Sequence, residues 1–108
     1  MNEITTSFVT SVGDSAFSGC TDLVEIYLQN VTSIGSEAFM DCTKLRDIHV
    51  GNAIQSIGEA AFNTSGRNPV SMTIGKDMDW VNERYVEWGL PSGSSIICTN
   101  GTIVTGGE

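Results

Sequence analysis

Val9-Thr-Ser-Val-Gly-Asp-Ser-Ala-Phe17 returns as Val31-Thr-Ser-Ile-Gly-Ser-Glu-Ala-Phe39 and again as Ile54-Gln-Ser-Ile-Gly-Glu-Ala-Ala-Phe62. The first two copies start 22 residues apart and the next two 23 apart. A period in that range marks stacked coils, each of which buries its apolar face against its neighbours. The recurring Gly13, Gly35 and Gly58 sit where the chain turns or approaches a neighbour closely. Ala16, Ala38 and Ala61 leave room for the next coil, and Phe17, Phe39 and Phe62 are expected to stack as an aromatic spine. This half of the repeat reads as a tight turn followed by one or two helical turns.

The other half alternates. Leu23-Val-Glu-Ile26-Tyr-Leu28 and Leu45-Arg-Asp-Ile48-His-Val50 place apolar residues at every second position, a strand with one buried face. The third copy, Val70-Ser-Met72-Thr-Ile74, lies one residue further from its phenylalanine, so the turn-rich Asn63–Pro69 stretch holds an extra residue. Upstream, Ile4 and Phe8 read as a partial capping strand.

Beyond Ile74 the pattern changes. Met78, Val81, Tyr85 and Trp88 form a helical stripe, with Asp77 as N-cap and Gly89 and Pro91 as terminators. Trp80 falls off that stripe, beside Glu83, Arg84 and Glu87. It is either an exposed interface anchor or packed locally. Asn100-Gly101 between two β-rich runs predicts a two-residue hairpin turn, pairing Cys98 with Ile103 and Ile97 with Val104 on opposite faces. A hairpin apolar on both faces calls for cover on both, one from the solenoid end and one from a partner chain.

These patterns divide the 108 residues into a partial cap at 1–8, repeats at 9–30, 31–53 and 54–75, a capping helix at 76–90 and a hairpin at 91–108. The formal charge of −8, from 13 acidic and 5 basic side chains, argues against nucleic acid or an anionic membrane as partner. No stretch approaches the ~20 apolar residues of a membrane helix. With Met1 as the native start, the opening Met1-Asn-Glu-Ile-Thr5 has no basic and apolar leader, and synthesis without secretory export is expected. Cys20 and Cys42 occupy equivalent repeat positions. They read either as buried thiols, like the distant Cys98, or as a disulfide between neighbouring coils. One histidine and no Cys-x-x-Cys pair argue against zinc, and no cofactor or metal site is expected.

With the repeat laid out, (Val/Ile)-x-Ser-(Val/Ile)-Gly-x-x-Ala-Phe-x-x-Cys-x-x-Leu-x-x-Ile-x-(Leu/Val) resembles the BspA-type, or Treponema pallidum-type, leucine-rich repeat over residues 9 to about 74. The third copy departs from it by lacking the cysteine and shifting the strand. The resemblance implies an α/β solenoid: a short right-handed leucine-rich repeat of about three coils, here with a C-terminal capping helix and β-hairpin. It also implies adhesion or protein binding at the surface of bacteria or protozoa, with no catalytic residues. The tail Ile97-Cys-Thr-Asn-Gly-Thr-Ile103 resembles the Cys-Thr-Asp-Gly-x-Ile ending of short repeat proteins from gut bacteria and their phages.

In such a solenoid the polar strand residues face outward in two columns, Glu25/Asp47/Ser71 and Tyr27/His49/Thr73. They form either a partner-binding surface or a plain solvated sheet face. With Trp80, Ile97 and Val104 they are the candidate partner contacts. His49 has Asp47 on its own face but no nucleophile in reach, so no catalytic role is assigned. The leading expectation is a non-enzymatic interaction or structural module. More narrowly, it is a phage virion component (capsid decoration, tail or fibre protein) that is exposed after lysis and contacts other virion proteins, further copies of itself, or a host surface protein or glycan. The alternative is a fragment of a bacterial cell-surface adhesin. A cytoplasmic enzyme or regulator finds no supporting constellation.

Overall fold

In a computed structural model, residues 3–5, 10–64 and 69–105 are described, 3–5 by their backbone alone. Phe8, Val9, Ser65 with the remainder of loop 65–68, and residues 106–108 lie outside the described residues. The strands in chain order are β1 (Glu3–Thr5), β2 (Ser11–Val12), β3 (Glu25–Leu28), β4 (Ser33–Ile34), β5 (Asp47–Val50), β6 (Ser56–Ile57) and β7 (Ser71–Ile74). After them come helix α1 (Met78–Asn82), a 3-10 turn (Tyr85–Trp88), and strands β8 (Ser95–Cys98) and β9 (Gly101–Val104).

From β2 to β7 the chain alternates between two sheets. The larger has the order β1-β3-β5-β7-β8-β9 and the smaller β2-β4-β6. All pairings are parallel except β8–β9, which is antiparallel. The period-2 alternation explains the larger sheet. Ile26, Leu28, Ile48, Val50, Met72 and Ile74 turn inward and are at most 4% exposed, and the residues between them face out. Each such burial stabilises by about 1.5–3 kcal/mol. β1 adds a parallel strand ahead of β3, with Ile4 opposite Ile26.

The aromatic spine forms as the repeat predicts. Phe17 stacks on Phe39 and Phe39 on Phe62, each pair with ring centroids 5.3 Å apart. Phe39 and Phe62 are fully buried, whereas Phe17 is half-buried and Ala16 is exposed. The first repeat thus has less cover than the second and third.

The expected helical turns after Gly13, Gly35 and Gly58 are absent. Each repeat instead runs from a two-residue strand into hydrogen-bonded turns, with Ser15, Glu37 and Ala60 at φ 57–58°. That left-handed conformation aims backbone N–H groups sideways. Ser15, Glu37 and Ala60 donate to the carbonyls of Ser36, Glu59 and Glu87 at 2.7–3.1 Å. Phe17, Phe39 and Phe62 donate to those of Ala38, Ala61 and Trp88 at 2.8 Å. Bonds to the next repeat replace the bonds that a helix would make within itself, which is the physical reason for the difference. Gly35 and Gly58 permit the spacing, since a Cβ on either would strike the backbone of the preceding repeat at Asp14 or Ser36.

The segment after the third repeat also departs from the single helix expected there. Asp77 caps α1 as expected, accepting from Trp80 N–H at 3.0 Å. The α-helix nevertheless ends at Asn82, and Tyr85–Trp88 is 3-10, closed by Gly89 in the left-handed region. Its carbonyls at Glu87 and Trp88 take the lateral bonds of the third repeat's turn, and this contact sets its path.

The hairpin turn lies one residue earlier than expected, which moves each cross-strand partner by two residues. Thr99 and Asn100 form the turn, so Cys98 pairs with Gly101, Ile96 with Ile103, Ile97 with Thr102 and Ser95 with Val104. Asn100 Oδ1 accepts from Met78 N–H at 2.8 Å, Thr99 N–H donates to Lys76 at 2.9 Å, and a Cβ on Gly101 would strike Met78. Packing on α1 therefore selects the turn over the local Asn-Gly signal. The faces stay as expected: Ile96, Cys98 and Ile103 are covered on one, while the aliphatic Ile97 and Val104 share the other and are exposed. Its base is anchored by Ser94 and Thr105, whose hydroxyls both donate to the Pro91 carbonyl, at 2.6 and 2.9 Å, while Ser94 Oγ accepts from Val70 N–H.

Candidate interaction surface

The outward residues of the larger sheet line up in two rows, because parallel pairing keeps equivalent positions in register. One row is Glu25, Asp47, Ser71, Ser95 and Val104, and the other is Tyr27, His49, Thr73, Ile97 and Thr102. Eight of the nine candidate residues thus share one face. The face grades from carboxylates and aromatic rings on β3 and β5, through hydroxyls on β7, to aliphatic groups on β8 and β9. Ile97 is 41% and Val104 57% exposed.

Tyr27 and His49 stack with ring centroids 4.5 Å apart and planes 9° from parallel. His49 Nε2 lies 3.6 Å from Glu25 Oε2, a charge pair whenever the imidazole is protonated, and has no hydrogen-bond partner among the described residues. Two flat rings held face to face, each covering the other's inner π-face, make a half-buried aromatic step beside two carboxylates. Beside the carboxylate row an open groove of about 430 Å3 runs past the strand starts, lined by Val24, Arg46, Asp47, Pro69, Ser71 and Ser95 among others.

Trp80 is not on this face. It is half-buried on α1, tilted 48° against Trp88, with the Arg84 guanidinium 4.4 Å and Lys76 Nζ 5.4 Å from its ring centroid. Arg84 also donates to the Trp80 carbonyl at 2.8 Å. Local packing is the reading of Trp80 that the geometry supports. Sequence reasoning passed over Arg46, Ser95 and Thr102. The repeat spacing could have found Arg46, which precedes β5, while Ser95 and Thr102 lie beyond the repeat, on β8 and β9.

The three thiols are free: Cys42 and Cys98 buried, Cys20 half-buried. Cys42 Sγ donates to the Phe17 carbonyl at 3.1 Å. Burial pushes the Cys42 thiol up to about 11, against a smaller opposing pull from a backbone hydrogen bond at Cys20. Burial raises Cys98 as well, with the Asp77 charge adding to it. Neither thiol is a ready nucleophile.

The family model described as BspA type leucine rich repeat region, in six copies, matches residues 1–84. The chain belongs to the BspA-type leucine-rich repeat family. No curated protein and no solved structure matches it. The BspA-type repeat accounts for the regular Gly, Ala and Phe positions and for the solenoid-like stacking of the two sheets. Leucine-rich repeats of this kind typically serve as non-enzymatic modules for protein interaction or adhesion. Among the described residues no helix is long and apolar enough to cross a membrane.

Proposed function

We propose that this BspA-type repeat protein is a non-enzymatic interaction module that holds a partner protein on the outer face of its larger sheet. The Tyr27–His49 stack beside the Glu25 and Asp47 carboxylates carries the reading. A rigid aromatic platform supplies contact area at low entropic cost, and the carboxylates select basic side chains. The groove beside Asp47 extends the surface for a segment of extended chain. The architecture that goes with this reading is a right-handed solenoid of about three coils, with residues 76–90 and 91–108 acting as its C-terminal cap. The bonds from Ala60 and Phe62 to the Glu87 and Trp88 carbonyls support that role.

Selection of a random peptide library on the immobilised protein tests the site. Peptides enriched in Lys, Arg and aromatic residues should emerge and lose binding to Tyr27→Ala and Asp47→Asn variants. Absence of enrichment, or equal binding to both variants, would sink the assignment.

Within this reading we favour a phage virion component, displayed on the particle surface. The likeness of the tail Ile97–Ile103 to the ends of short phage and gut-bacterial repeat proteins supports it. A fragment of a bacterial cell-surface adhesin is the alternative. Capsid or tail genes beside the coding sequence would favour the virion, and a signal peptide upstream in the same frame would favour the adhesin.

A further inference from the structure

All thirteen acidic and five basic side chains lie outside residues 88–107, so the C-terminal stretch is uncharged in a chain of net charge −8. That stretch contains β9, the last strand of the larger sheet, and among the described residues no strand lies beyond it. Sheet edges in soluble proteins are commonly blunted by charge, proline or a bulge, because an open edge is a template for another strand. β9 carries the sequence Gly101-Thr-Ile-Val104, with neither charge nor proline.

The hydrogen-bond parity of the hairpin identifies which groups are open. Thr105 N–H donates to the Ser94 carbonyl at 2.9 Å, and Ile103 and Gly101 share that parity. Their backbone groups point toward β8. Those of Thr102 and Val104 therefore point away from it. Both side chains stand on the exposed sheet face.

We propose that β9 pairs antiparallel with β9 of a second copy, joining the two larger sheets across a two-fold axis at Ile103. In that register Thr102 lies opposite Val104 of the partner subunit, and Val104 opposite Thr102 of the partner subunit. Each such pair exchanges two backbone hydrogen bonds, so every open group on the edge is satisfied. The arrangement is isologous and closes at the dimer. Charge favours a second copy over a foreign chain. Copies at −8 repel one another over most of their surface, and here they meet without like charges, while a partner selected by charge would find none. The other edge, β1, has the sequence Glu3-Ile4-Thr5 and brings an acidic residue to any head-to-tail pairing. A single short strand per copy is at the small end of interface size, so affinity in the micromolar range or weaker is expected, on the order of 10–100 µM.

Sedimentation velocity on the full chain, across concentrations spanning that range, tests the pairing. The mass should rise from one chain to two and stop. Thr102→Pro removes an outward N–H without touching the β8 ladder, and Val104→Lys places like charges near the two-fold axis. Each should weaken association by about tenfold or more, with far-UV circular dichroism and melting temperature unchanged. Tyr27→Ala should leave the dimer intact, which separates this contact from partner binding on β3 and β5. A monomer at every concentration, growth past the dimer, or a dimer that survives both β9 variants overturns the proposal.

Discussion

Phe17 and Phe39 lie 22 residues apart yet stack with ring centroids 5.3 Å apart and planes 6° from parallel. They differ in cover. Phe39 has a phenylalanine on each side and is fully buried, while Phe17 closes one end of the spine and stays half-buried. Truncation should separate them. Phe39→Ala is expected to cost about 3–5 kcal/mol and Phe17→Ala about half of that, because the outer site loses less area and leaves a more open cavity. Urea unfolding of the two variants checks the ranking, and equal costs would contradict the unequal cover.

Glu37 holds φ at 57° with an exposed side chain, at a turn position that suits glycine. Glu37→Gly should therefore stabilise the protein by roughly 0.5–1 kcal/mol, the relief of left-handed strain exceeding the entropy that glycine adds to the unfolded chain. The neighbouring Glu59→Gly, outside the positive-φ set, should instead destabilise by a similar amount. Shifts in the urea midpoint of opposite sign are the expected outcome.

Cys42 links stability to alkaline pH. Its folded pKa stands near 11, above the ordinary 9.0 of an unfolded thiol. Below pH 9 both states hold the proton, and the contribution is fully present. From about pH 9 to 11 the unfolded chain ionises while the folded one does not, so stability falls as pH rises through that window. The loss should be on the order of 2 kcal/mol by pH 11. Other groups also titrate there, so the measurement is the difference in slope between the native chain and Cys42→Ala. Identical slopes would contradict it.

Much of this surface is legible in the repeat. Equal spacing alone puts Tyr27 beside His49 and Glu25 beside Asp47, because stacked coils keep their register. The left-handed residues are not legible, since Ser15, Glu37 and Ala60 share no side-chain chemistry. Their N–H groups bond to carbonyls of the next repeat or, for Ala60, of the 3-10 turn. Nor is the pairing within the hairpin. Asn100-Gly101 is a sound local turn signal, but contact with Met78 moves the turn back by one residue and each cross-strand partner by two, which changes the pairs and leaves every side chain on its expected face.

The 22–23-residue period by itself determined that the coils stack, which residues form the spine, and which strand residues look outward. Burial in a repeat depends on neighbours of the same kind, and the period names them. Only the tertiary structure decided the fate of the non-repeating end: the 3-10 turn bonded to the third repeat, the reversed strand β9, and the placing of Ile97 and Val104 on the open face. Those outcomes depend on contacts between unlike segments, where no periodicity exists to read.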